Sequence, residues 1–416
     1  MRALERDAAY YFVGKACAAL GVLAAIPLTT RVLDTGELAE YALWSAAALW
    51  SSTAAVGWLQ TGVQRFHRER RLAENDADYL ASVRLALRCG ALGSAAFVVL
   101  AALVGSSLPI TAVLSIGALA AASSLYLGHQ AMTQAELAAK RVVASDIARG
   151  LALPLVLVLV AVCGASSVAT VTFAQAIGLF AAVALLAAGS PMLRRGGRAR
   201  THELRALARY GLPLGVWLVI TLANAHLGRV ALQAFGMPAE LASYAALHDV
   251  VIKAGTLVLM PVVYAVQGHV MAAWAEGDRT AVQRSLRRAF LLQGAVAFVL
   301  VVGFAVCATP IMAVLFDRPP TAGSPVAVIS ALAGGVAFAN LGLLAHKGLE
   351  IGQRTRTMLW LALLALGLDA LLCCVLVPLA GALGAALAYL AAQVCYAALA
   401  QVYSRRVLAE LIGRPA

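Results

Sequence analysis

Runs of about twenty apolar residues recur along the whole chain, and short connections separate them. A bilayer's hydrocarbon core is about 30 Å thick and a helix rises about 1.5 Å per residue, so each run has the length of one membrane crossing. Composition agrees: 62% of residues are hydrophobic and 12% charged, where a soluble domain carries about 45–50% and about 25%. Mean hydropathy is +0.86. So little polar surface cannot coat a soluble core of this size. A disordered chain, a disulfide-stapled secreted domain and a soluble enzyme are excluded together. The expected fold is an all-α polytopic membrane protein.

Twelve spans are expected, in two halves of six at 1–200 and 201–416. The first six cover about 8–29, 39–62, 83–104, 109–131, 148–164 and 168–189. The second six cover about 208–230, 243–267, 289–309, 325–346, 358–377 and 381–403. The apolar run after the charged start lacks a small-residue cleavage site, so it reads as a permanent first span and not as a signal peptide. With the N-terminus inside, 27 of the 32 Lys and Arg fall in inner segments. The exceptions are Lys15, Arg31, Arg229, Lys253 and Arg318. That bias predicts both termini in the cytoplasm. It also accounts for the net charge of +12. The cations are scattered without interleaved aromatics, so nucleic acid is not an expected partner.

The seven cysteines lie in apolar stretches without a CxxC pair, and the seven histidines lack ligand spacing. No metal site is expected. The chain also repeats itself. Arg31 ends the first span and Glu37 and Tyr41 follow; Arg229 ends the seventh and Glu240 and Tyr244 follow. The inner loops around Gln134–Arg141 and Lys347–Arg354 echo each other as well. Six spans per half give the halves one orientation, and a substrate site is expected between them near the midplane.

Four places carry a family resemblance: Arg31-Val32-Leu33 leading to Glu40-Tyr41, Tyr210-Gly211-Leu212-Pro213, the stretch from Arg229 to Tyr244, and Val377 through Ala388. In these, and in their order, the sequence resembles the Wzx-type flippases of the multidrug/oligosaccharidyl-lipid/polysaccharide exporter superfamily. It departs from them at Ala39, Gly228 and Asp369, where the family more often has glycine, aspartate and asparagine. The resemblance implies a flippase, not an enzyme. It would move an undecaprenyl-diphosphate-linked oligosaccharide (an O-antigen, capsule or exopolysaccharide repeat unit) from the inner to the outer leaflet by alternating access. It implies a bacterial inner membrane, with membrane lipids and polysaccharide polymerase machinery as partners. The alternative within the superfamily is a multidrug or small-molecule cation antiporter.

A charge near the bilayer centre costs at least about 2.5–3.5 kcal/mol, so each embedded charge asks for a reason. Lys15, Arg31, His226, Arg229, His248 and Lys253 form the expected cationic, substrate-binding cavity. Arg31 and Arg229, near outer ends of spans, also fit an outer-headgroup or outer-loop pairing. Asp249 and Lys253, four apart, are expected to pair along their helix. Asp249 and Asp369 are the only deep acids in this reading and the candidates for ion coupling, to a proton or sodium. No other cofactor is expected, and the chain has no GxxxxGK[ST] motif to bind a nucleotide.

Overall fold

A computed structural model describes residues 2–72, 76–136, 138–164, 167–188, 190, 196–275, 277–316, 324–352 and 354–412. Arg194, Arg195, Asp317, Arg318 and Arg414 lie outside the described residues. The chain is helical throughout its regular structure: α1 Arg2–Val32, α2 Thr35–Leu72, α3 Asp76–Gly105, α4 Ile110–Ala135, α5 Ala139–Cys163, α6 Val168–Ala187, α7 Thr201–Ala234, α8 Pro238–Ala275, α9 Arg279–Leu315, α10 Pro325–Ala345, α11 Lys347–Ile351 and α12 Thr355–Ile412. The expected spans map onto α1 to α10 in order, and the last two onto the arms of α12 before and after Gly381.

Among the described residues, ten helices are apolar and long enough to cross a bilayer, counting α12 as one. α2 has the length, 38 residues, but not the hydropathy. Glu37, Glu40, Ser45, Ser51, Ser52 and Thr53 dilute it. α5 starts nine residues before the expected 148, which brings Asp146 into the helix. Lys140, Arg141 and Arg149 made that stretch read as a loop.

The α12 bend has a local cause. Gly381 sits at φ 52°, a left-handed conformation that suits glycine. The preceding Pro378 also removes one helical hydrogen bond. Beyond the bend, the N–H of Ala382 donates to the Glu240 carboxylate, so an acid on α8 caps the start of the second arm.

The chain divides into two compact units, 1–222 and 223–416, and the division falls inside α7. The N-terminal unit keeps the first part of α7 because Leu207 joins a core of Val56, Leu59, Tyr79, Leu80 and Leu87. Its α1 packs against α5, and its α4 against α2, α3 and α6. α1 and α5 meet at two glycines: a Cβ on Gly21 would fall 1.9 Å from the Gly150 carbonyl oxygen. Only backbone can approach so closely. In the C-terminal unit α10 lies against α8, α9 and the long α12.

Candidate functional site

In the N-terminal unit the glycine crossing brings Lys15 of α1 opposite Asp146 of α5. Nζ of Lys15 lies 2.9 Å from Oδ2 of Asp146, with the acid side chain 2% exposed and the lysine 48%. Tyr126 of α4 donates its hydroxyl to Oδ1 of Asp146 at 2.6 Å. One turn on, Gln130 donates to the Tyr126 hydroxyl at 2.8 Å. The Arg149 guanidinium lies over the Tyr126 ring, 4.9 Å from its centre. A carboxylate removed from water must be paired and hydrogen-bonded, and these donors do both. Asp146 is a third deep acid that the sequence reading missed. The signal for it was Lys15 itself, because an embedded lysine needs an anion and Asp146 borders the nearest polar end of a span.

In the C-terminal unit Arg229 of α7 is 2% exposed and bonds to the Asp249 carboxylate of α8. It also lies 3.1 Å from Nδ1 of His248. Lys253, one turn along the same helix, was expected to pair with Asp249; the structure shows the Arg229 guanidinium bonded to Asp249. Lys253 is half-buried. Arg229 therefore does not reach an outer headgroup, although it stands five residues from the end of α7. The His248 ring stacks on Tyr244 at 5.5 Å and meets the edges of His226 at 5.8 Å and Tyr389 at 6.0 Å. Arg31 occupies the last turn of α1 and is exposed. The echoed arginines Arg31 and Arg229 thus differ in environment.

Asp369 is 1% exposed in the first arm of α12. Its Oδ1 accepts a long thiol contact from Cys373 at 3.6 Å, and Oδ2 has no hydrogen-bond partner among the described residues. Tyr244 and Tyr389 stand within its electrostatic reach. No group of three or more His, Cys, Asp or Glu among the described residues is placed to hold a metal ion.

No family model matches this chain, and no curated protein matches it in sequence. Solved structures match it nearly end to end. An outward-facing multidrug resistance MATE transporter of the MOP superfamily superposes with a TM-score of 0.67 at 12% identity, covering 99% of this chain and 96% of its own. The fold is that of the MATE transporters. An inward-facing MATE transporter gives 0.65 at 13% identity, over 100% and 96% of the two chains. A MOP superfamily transporter from Pyrococcus furiosus gives 0.62 at 12% identity, over 99% and 96%. The MATE fold thus occurs in both inward- and outward-facing forms.

Proposed function

We propose that this chain is an alternating-access exporter for an amphiphile with an anionic headgroup, an oligosaccharide carried on a polyprenyl diphosphate. It moves this lipid from the inner to the outer leaflet of the bacterial cytoplasmic membrane. The observation that carries the reading is the balance of charge within the spans. Lys15, Arg149, Arg229 and Lys253 face three acids, Asp146, Asp249 and Asp369, and a cation binds each of the first two. Embedded cations in excess suit a diphosphate and oppose a cationic drug. The Pyrococcus furiosus transporter of this fold is described by the reverse polarity of its binding pocket and a different function. A surplus of cations in this chain supports a comparable departure.

The driving force follows from the same charge. With the membrane potential negative inside, each negative charge moved outward gains about 2.3 kcal/mol per 100 mV, and a diphosphate carries about two. Asp369 binds a proton or sodium ion that resets the empty carrier. The test is movement of the lipid-linked glycan in proteoliposomes with an imposed potential and no ATP. Outward flipping should accelerate as the interior becomes more negative. Flipping indifferent to potential, or dependent on ATP, overturns the mechanism.

A second reading rests on Asp369, whose Oδ2 lacks a partner among the described residues. It is an antiporter for multidrug or small-molecule cations; one matching structure is described as a multidrug resistance MATE family transporter. Efflux of a cationic dye from the same vesicles, with no movement of glycan, would select it.

A further inference from the structure

The Lys15–Asp146 pair is lopsided in both exposure and charge. The acid side chain is sealed at 2% exposure, and the lysine side chain as a whole is 48% exposed. Arg149, one turn beyond Asp146 on α5, adds a second cation within electrostatic reach of Lys15. Its guanidinium carbon lies 4.9 Å from the centre of the Tyr126 ring, and its Nε has no hydrogen-bond partner among the described residues. Two cations therefore share one acid. A lock between helices would be neutral and closed on both sides; this cluster keeps a positive charge and an open face.

We propose that Lys15 and Arg149 form an anion site in the N-terminal unit that takes a phosphate or diphosphate group, with Asp146 as the resident counter-anion that the ligand displaces. The inference rests on the anionic-cargo reading and assigns it a place. An arriving anion meets Nζ of Lys15 first, because the acid lies behind it. An ammonium has three donors, so those turned away from Asp146 remain to bind a phosphoryl oxygen. The arginine presents its planar fork, whose geometry matches phosphate. Displacement does not strand the acid. Tyr126 still donates to Asp146 at 2.6 Å, and the Gln130 amide lies 3.5 Å from the same oxygen. Asp146 stands seven residues into α5, about 10 Å from the end that the arginine bias assigns to the cytoplasm. That is the side from which the cargo would load.

The experiment reads the site without transport. In wild-type protein in detergent, inorganic pyrophosphate should slow acylation of Lys15 by an amine-reactive ester, followed by mass spectrometry, against sodium chloride of equal ionic strength. A parallel sample in nanodiscs carries undecaprenyl diphosphate and separates a lipid headgroup from a free diphosphate. Protection by either supports the site, and protection by neither overturns it. Asp146→Asn removes the competing anion and should tighten pyrophosphate binding about tenfold, an ordinary size for coupling between competing interactions. Weaker or unchanged binding in a folded Asp146→Asn protein overturns the proposal. Arg149→Met should abolish the protection seen in wild type. If glycan flipping proceeds while Lys15 is never protected, the flippase reading stands and this site falls. If Lys15 is protected and no glycan moves, the reverse holds.

Discussion

Arg229 is sealed while its partner Asp249 is 38% exposed, the inverse of the Lys15–Asp146 pair, in which the acid is sealed and the cation open. In each unit one member of the ion pair is buried in the protein and the other is partly exposed at its surface. Losing the exposed member removes the ion-pair partner of a buried charge and leaves only its hydrogen bonds, from Tyr126 to Asp146 and between Arg229 and His248.

The pairs should therefore respond unequally to substitution. Asp249→Ala removes the carboxylate partner of the buried Arg229 guanidinium and should destabilise the protein by up to about 3–5 kcal/mol, the cost of breaking a buried pair from one side. Arg229→Met leaves a half-exposed carboxylate and should cost less. The double change of Arg229→Met and Asp249→Leu should recover most of the loss. Thermal unfolding in detergent checks the order, and equal costs for the two single variants would refute it.

Gly21→Ala would place its methyl carbon 1.9 Å from the Gly150 carbonyl oxygen, inside van der Waals contact. α1 must move off α5, at about 1–3 kcal/mol for an overpacked contact. Because that crossing sets Lys15 opposite Asp146, acylation of Lys15 should speed up in the variant. Unchanged labelling would show that the crossing does not position the pair.

Glu240→Ala removes the carboxylate that receives the Ala382 N–H, and should cost about 1 kcal/mol, as helix caps do. Glu240→Gln keeps an acceptor and should lose less. Hydrogen exchange at Ala382 and its neighbours locates the effect; protection that is unaltered in both variants would count against the cap.

Outside the spans, Asp278 opens α9 and accepts the N–H of Ala281 at 2.9 Å. That bond, with a second from the Thr280 hydroxyl, holds its carboxyl below the usual carboxylate range. A depressed value in the folded protein means stability that is present above the unfolded pKa and fades as pH falls through the folded one. Wild type should lose melting temperature relative to Asp278→Asn between about pH 6 and about pH 3. Parallel curves would remove the linkage.

The crossings were legible because hydrocarbon admits few alternatives to a long apolar helix. Even the division of 83–131 into α3 and α4 follows the break from Gly105 to Pro109. The charges were less legible, since a helix start rich in Lys and Arg looks like a loop from sequence. That hid Asp146 inside α5. Pairing was hardest of all. Spacing along one helix suggested Lys253 for Asp249, and it could not show that Arg229 reaches Asp249 from α7, which only the packing of two helices brings about.

Orientation follows from the arginine count and is checked by fusions. A reporter joined after Arg200 should read cytoplasmic, and one after Pro320 should read outside. The opposite pattern inverts the chain.

The low hydropathy of α2 bears on how the protein is made. A helix of low hydropathy gains from a neighbouring helix that receives it in the bilayer. Ser52 shows which one, because its hydroxyl donates to the Ala120 carbonyl of α4 at 2.8 Å. α4 emerges from the ribosome well after α2, so the second span waits near the translocon until its host arrives. Nascent chains halted before Ile110 should hold α2 loosely and leave it open to glycosylation tags, and chains extended past Ala135 should protect it.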